Sequence, residues 1–203
     1  TRSLMPLLPI GVLLRGPQAR PHVAEVVSRL GFPFAAVVRP LSGAFNARVV
    51  AERQKAGVQL ILQRGALRQI LKTVRSGLTV VQLVDQVVPA KQGVFVNFFG
   101  RPASTTPSIA AAALRTGAPV WVVATVRVEG GLKVRAQGPL PVEKTDDFRA
   151  DVARLTAQIT AVLEGWIRET PEQWLWLHRR WKVQPGPEAQ IEIFKPTPKV
   201  PPG

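Results

Sequence analysis

Short apolar runs alternate with amphipathic segments along most of the chain. The strand-like runs are IGVLL, PFAAVVRP, VQLIL, LTVVQLVD and APVWVVATVRV. Segments between them repeat apolar residues at spacings of three and four, as Leu67, Ile70, Leu71 and Val74 do. Helical segments between short apolar strands are typical of βαβ units. The pattern therefore predicts an α/β fold, a single domain whose mostly parallel central sheet is flanked by helices.

The last long helical pattern begins near Thr145, and we expect Thr145 or Asp146 to cap it. Its predicted buried face consists of Phe148, Val152, Leu155, Ile159, Val162 and Trp166. From Pro185 the chain is rich in proline and is expected to be extended or loose. We therefore predict a folded domain at residues 1–184 and a tail at residues 185–203.

Three polar residues fall where predicted strands end. They are Arg39, Arg64 and Asp85. A parallel sheet collects the loops that follow its strands at one edge, where ligands usually bind. We therefore expect a site at that edge.

The charge of the chain points to an anionic partner. Lys and Arg number 27 against 13 Asp and Glu, a net charge of +14. Such an excess favours nucleic acid, anionic lipid or a phosphorylated small molecule. The sequence carries no zinc-finger spacing, no RNA-binding strand signature and no basic heptad helix, so nucleic acid is not the expected partner. With no cysteine and only His22 and His178, we expect neither thiolate catalysis nor a metal site.

The segment PEQWLWLHRRWK, residues 171–182, combines tryptophans with basic residues. Trp174 and Trp176 alternate as in a strand, so they either pack in the core or anchor the protein at a boundary between apolar and aqueous layers. Arg179, Arg180 and Lys182 are expected to face lipid phosphates. The segment is thus a candidate for membrane contact.

The same segment resembles the C-terminal signature of the bacterial late acyltransferases of lipid A biosynthesis, which belong to the lysophospholipid acyltransferase superfamily. Residues 93–120, which read GVFVNFFGRPASTTPSIAAAALRTGAPV, resemble the central block of that family. VVRP at 37–40, RGALRQIL at 64–71 and LVDQ at 83–86 match in order and spacing. The resemblance covers about residues 11–183.

The resemblance implies transfer of a fatty acyl group to a hydroxyl of a lipid A precursor. The donor would be a thioester of acyl carrier protein or coenzyme A, with no other cofactor. The place would be the cytoplasmic face of the bacterial inner membrane. Asp85 matches the catalytic aspartate of the family, and Arg53 matches its arginine if the count slips by one residue. Other residues expected to bind substrate, because a guanidinium suits phosphate or because they flank Asp85, are Arg39, Arg64, Arg68 and Gln86.

The family's catalytic histidine, with an acidic residue five positions later, is not found at its expected place. Counting back from VRP places the histidine at Pro17 and the acid at His22. Proline cannot take a proton from a hydroxyl. Three explanations stay open: a non-catalytic scaffold that binds lipid or a protein partner, the use of His22 as base with Glu25 or Asp85, or a sequence error over residues 15–28.

The start of the chain differs from the family pattern as well. The family carries an N-terminal membrane helix, whereas this chain begins almost at the first strand. We therefore expect either a truncated chain or a protein peripheral to the membrane.

Overall fold

The computed structural model describes residues 11–14, 34–38, 59–63 and 65–186. The strands in these ranges are β1 (Gly11–Leu14), β2 (Phe34–Val38), β3 (Gln59–Leu62), β4 (Thr79–Leu83), β5 (Val94–Phe98), β6 (Arg101–Thr105), β7 (Val120–Val128) and β8 (Gly131–Gln137). The helices are α1 (Ala66–Arg75), α2 (Ser108–Thr116) and α3 (Phe148–Glu169). Short 3-10 turns lie at Ala90–Gln92 and Pro171–Gln173. Nearly all of the predicted tail lies outside the described residues.

Six of the described strands form one mixed sheet in the order β3-β2-β4-β1-β7-β8. Strand β2 is parallel to β3 and β4, whereas β1 is antiparallel to β4 and β7, and β8 is antiparallel to β7. The predicted α/β class is confirmed, with a small parallel sheet of β3, β2 and β4. The β7–β8 pair is antiparallel because the chain turns back tightly at Glu129 and Gly130, and a turn that short can join only antiparallel strands.

The carboxyl ends of β4 and β7 lie at the same edge of the sheet. Gly11 is opposite Leu83 of β4 and also opposite Val123 of β7, and β1 is antiparallel to both strands. Strands β4 and β7 therefore run in the same direction. Strand β7 continues from Val123 to Val128, so it extends beyond the end of β4 at this carboxyl edge.

The helices complete the core. Helix α2 is buried from Ile109 to Leu114, and its four consecutive alanines allow close packing against α1 and α3. Helix α3 buries Val152, Leu155, Ile159, Val162 and Trp166, as the spacing predicts, but Phe148 is 38% exposed at the first turn. No helix of the described ranges is long and apolar enough to cross a bilayer.

The start of α3 lies slightly later than predicted. Asp147 is the N-cap, and its Oδ1 accepts hydrogen bonds from the backbone N–H groups of Arg149 and Ala150 at 2.9 and 3.0 Å. Thr145 instead donates its N–H and hydroxyl to the Asp151 carboxylate at 2.7 and 2.9 Å. The expected cap residues Thr145 and Asp146 thus precede the actual cap.

Candidate functional site

Asp85 lies in the bend that follows β4, at the carboxyl edge of the sheet. The residue is partly buried, and its Oδ1 is shielded from solvent and accepts no hydrogen bond from the described residues. Burial raises the pKa of the carboxyl group, while its own backbone N–H and the charges of His178 and Arg180 act in the opposite direction. Such an oxygen is a strong acceptor for any donor that reaches it.

Arg180 is a buried cation beside Asp85. Its side chain is among the largest fully buried ones, at 1% exposure. The guanidinium donates from Nη1 to the Ser104 carbonyl at 2.8 Å and from Nη2 to the Thr105 hydroxyl. Burial lowers the pKa of Arg180 to about 10, and the Asp85 carboxylate opposes this shift, so the guanidinium stays charged at neutral pH.

The position of Arg180 corrects the expectation that it faces lipid phosphates, because its donors are directed into the protein. Arg179 and Lys182, which lie close by in the sequence, are exposed. The membrane-contact hypothesis therefore depends on these two cations and not on Arg180.

His178 joins the same cluster from the C-terminal segment. Its Nε2 accepts a hydrogen bond from the Val87 N–H at 3.1 Å, and the ring lies near the Asp85 carboxylate. His178 and Arg180 thus bring the C-terminal segment against the loop that follows β4. The sequence does not predict this arrangement; its only signal is that His178 lies two residues before Arg180 in the segment that resembles the family signature.

A second polar group ties β4 to the start of α2. Gln82 is 3% exposed; its Oε1 accepts from the Ser108 hydroxyl at 2.7 Å and its Nε2 donates to the Thr106 hydroxyl at 3.5 Å. The Thr106 and Ser108 hydroxyls are 2.8 Å apart. The polar turn after β6 is therefore fixed against the strand that leads to Asp85.

Aromatic side chains of the β5–β6 hairpin and of the C-terminal segment form one cluster. Strands β5 and β6 are joined by Phe99 and Gly100, which have φ angles of 53° and 76°, and the Phe99 N–H donates to Glu164 Oε2 of α3 at 2.7 Å. The rings of the cluster have centroids 4.7 to 6.5 Å apart and belong to Phe98, Phe99, Trp174, Trp176 and Trp181.

The two candidate tryptophans have different environments. Trp174 is buried at 5% exposure and therefore packs in the core, whereas Trp176 is 50% exposed. Both lie in turns and not in a strand.

The remaining candidate residues are divided between the described and undescribed parts of the chain. Arg68 is exposed on α1, and Gln86 is partly buried beside Asp85. His22, Arg39, Arg53 and Arg64, together with Pro17, lie outside the described residues. Within the described ranges, no group of three or more His, Asp or Glu side chains is arranged to hold a metal ion.

Comparison with known proteins identifies the family. Residues 24–183 match the family described as bacterial lipid A biosynthesis acyltransferase. The chain belongs to this family. It is 26% identical over 164 residues to the lipid A biosynthesis palmitoleoyltransferase of Escherichia coli strain K12 and to the lipid A biosynthesis acyltransferase of Shigella flexneri. These matches cover 79% of this chain and 52% of each relative, so the chain spans about half the length of the curated relatives it matches.

Proposed function

We propose that the chain binds an acyl thioester and a phosphorylated lipid A precursor at the carboxyl edge, and that its acyl transfer is impaired. Its proposed place is the cytoplasmic face of the inner membrane. Family membership over residues 24–183 is the observation that carries the proposal. The position of Asp85 at the carboxyl edge, beside the buried Arg180 guanidinium, supports it.

The reaction sets clear chemical requirements. The acceptor oxygen forms an ester bond with the acyl carbon, the carbon–sulfur bond breaks, and the hydroxyl proton ends on the departing thiol. A base must take that proton, and a carboxylate such as Asp85 would orient the base or the hydroxyl. Arg68 and Gln86, with Arg39, Arg53 and Arg64 outside the described residues, are the proposed ligands of phosphate and acceptor.

The proposed impairment concerns the base. The family match begins at residue 24, after Pro17 and His22, the positions that would hold the catalytic pair. General acid–base catalysis contributes roughly 10²–10⁴-fold, so its loss should lower turnover by about that factor.

The test is an assay of binding and turnover together. We expect purified protein to bind acylated carrier protein and a lipid A precursor, with acylated product near background by mass spectrometry. Robust turnover that disappears in His22→Ala would instead identify His22 as the base. Turnover that His22→Ala leaves unchanged would refute both accounts of the site.

A matched gain-of-function pair extends the test. The double variant Pro17→His with His22→Glu restores the family spacing and should raise turnover by roughly 10²-fold or more. The single variant Pro17→His is the control and should stay near background, because it lacks the acidic partner. The DNA reading frame over codons 15–28 separates a genuine Pro17 from a sequence error.

A non-catalytic subunit that binds lipid or a protein partner is the second candidate function. The replacement of the base by Pro17 favours it, because a binding surface needs no proton acceptor. If the double variant shows no turnover but still binds substrate, this alternative is supported.

A further inference from the structure

An exposed apolar turn projects from the C-terminal segment. Leu175, Trp176 and Leu177, here called the tip, are 45%, 50% and 89% exposed. The other large exposed hydrophobic residues in the described ranges, Leu62, Val128 and Phe148, occur singly. Scattered apolar residues on a surface need no explanation, whereas a contiguous group marks an interaction site.

The tip is held rigidly although it is exposed. The His178 N–H donates to the Leu175 carbonyl at 3.1 Å, which closes a turn with Trp176 and Leu177 at its corners. The Trp176 ring packs edge-on against Trp174, with centroids 4.7 Å apart. A preformed turn of this kind can enter an apolar phase without first losing conformational freedom.

The polar atom of Trp176 is already satisfied within the protein. Its indole N–H donates to the Pro171 carbonyl at 2.6 Å. An indole whose N–H has an internal partner can leave water without the cost of an unpaired donor. The ring is therefore suited to the apolar side of a lipid interface.

Basic side chains lie against the aromatic cluster beside the tip and follow the tip in the sequence. The Arg168 guanidinium lies 4.6 Å from the centre of the Phe99 ring, Arg101 lies 5.2 Å from the Trp181 ring, and Arg179 and Lys182 are exposed nearby. Two acidic residues lie in the same region: Glu164 pairs with Arg168, and exposed Glu172 precedes the tip. The rim thus has an excess of positive charge, which complements anionic headgroups.

The tip is tied to the edge of the sheet that holds Asp85. Gln173 accepts a hydrogen bond from the Arg127 N–H at 2.8 Å and donates to the Arg127 carbonyl at 3.1 Å. Arg127 lies in the part of β7 that extends past the end of β4 at the carboxyl edge. A partner surface that binds the tip would therefore lie on the same side of the protein as the candidate site.

We infer that the tip inserts into the interfacial layer of an anionic bilayer while the surrounding cations contact lipid phosphates. The docked protein then presents its carboxyl edge to the membrane. This inference deepens the proposed function and rests on it for the assumption that the substrate is a membrane lipid.

The test compares two substitutions of the same kind, one on the tip and one at the start of α3. Leu177→Asp places a charge on the tip, whereas Phe148→Asp places one on an exposed residue in the first turn of α3, a helix of 22 residues whose last residue, Glu169, precedes the tip. We expect Leu177→Asp to weaken sedimentation with vesicles of phosphatidylglycerol and phosphatidylcholine by about tenfold or more, since an exposed leucine would lose its burial in lipid. Phe148→Asp should bind like the unmodified protein.

Three results would overturn the inference. The first is that the unmodified protein does not sediment with anionic vesicles, and the second is that both variants bind equally well. The third is a dimer, seen by sedimentation velocity, that Leu177→Asp dissociates while vesicle binding is unchanged; the tip would then be a contact between two copies of the chain. Circular dichroism of Leu177→Asp checks that the fold is retained, and Leu175→Asp is the second variant if it is not.

The two proposals fail in different ways. Sedimentation needs neither acyl donor nor acceptor, so normal vesicle binding without substrate binding would reject only the proposed function. Substrate binding in detergent with no vesicle binding would reject only the docking surface.

Discussion

At the scale of single residues, Arg180 connects the C-terminal segment to β6 and to the loop that holds Asp85. Its substitution by leucine would remove the hydrogen bonds to Ser104 and Thr105 and leave the partly buried Asp85 carboxylate without this cation. We expect Arg180→Leu to lower the free energy of unfolding by about 2–4 kcal/mol in urea titration, because the buried Ser104 carbonyl and Thr105 hydroxyl each lose a charged donor. The matched control is Arg179→Leu. Arg179 is exposed, so this substitution should change the free energy of unfolding by about 0.5 kcal/mol or less. Equal effects would show that the buried guanidinium is not required.

Gly93 fixes the spacing beside the same contacts. A Cβ atom there would lie 2.4 Å from the Ser104 Oγ, 2.7 Å from the Val88 Cγ2 and 3.1 Å from the Thr105 carbonyl oxygen. We expect Gly93→Ala to destabilise the protein by about 1–3 kcal/mol through overpacking, measured by thermal or urea unfolding. Gly165→Ala is the control, because its Cβ would meet nothing within 4 Å and alanine favours a helix. A Gly93→Ala protein as stable as the control would show that the Ser104 and Val88 side chains make room for the methyl group.

The sequence predicts the position of Asp85 but not the burial of Arg180. Asp85 is placed at the end of its strand by an apolar run that stops there, and the structure has it just after β4. Arg179 and Arg180 have the same charge and adjacent positions, so no local pattern distinguishes the exposed cation from the buried one. The distinction comes from acceptors on β6, which are distant in the sequence and close only in the folded chain.

At the scale of elements, the start of α3 depends on a buried carboxylate. Asp151 is 2% exposed and accepts hydrogen bonds from the N–H and hydroxyl of Thr145 and from Arg154. The hydrogen bond from the Thr145 N–H is the main reason that the pKa of Asp151 is lowered below the ordinary value of 3.8; burial opposes this, and the Thr145 hydroxyl and Arg154 add to it. The folded state therefore favours the ionised carboxylate.

This shift determines how the stability of the protein depends on pH. The stabilisation from a lowered pKa is complete above the unfolded value of 3.8 and is lost as pH falls through the folded value. We expect Asp151→Asn to reduce the free energy of unfolding at neutral pH and the difference from the unmodified protein to shrink below about pH 4. Urea titrations across this range measure it, with exposed Asp146→Asn as the control. A difference that stays constant into acid would contradict the assignment.

Element types follow from periodicity more reliably than element pairing does. The apolar spacing of α1 and α3 predicts helices that the structure confirms, because each buries one face. Whether a strand is parallel or antiparallel depends on its neighbours in space, and the pattern gives no information on this for β1 and β7. The cap of α3 was predicted one or two residues early because Thr145, Asp146 and Asp147 are all suitable cap residues.

At the scale of the whole molecule, the sheet gathers the functional candidates at one edge. The loop after β4, the end of β7 and, through Gln173, the tip all lie there. Family membership and this arrangement support the proposed lipid substrate, whereas composition alone predicts only an anionic partner. The sequence could not predict the tip as a surface, because its exposure depends on Trp174 packing beneath it.

The net charge of +14 should govern the attraction of the whole molecule to a membrane. Salt screens exposed charges over about 10 Å at 0.1 M and about 3 Å at 1 M, so binding to anionic vesicles should weaken as salt rises, while any binding to neutral phosphatidylcholine vesicles should not. The double variant Arg179→Gln and Lys182→Gln should show a weaker salt dependence of vesicle binding, because two cations near the lipid are removed. Leu177→Asp should weaken binding but leave most of the salt dependence, because the basic rim remains. Sedimentation at graded salt concentrations measures all three proteins. If the unmodified protein binds anionic and neutral vesicles equally at every salt concentration, long-range charge has no part in its recruitment.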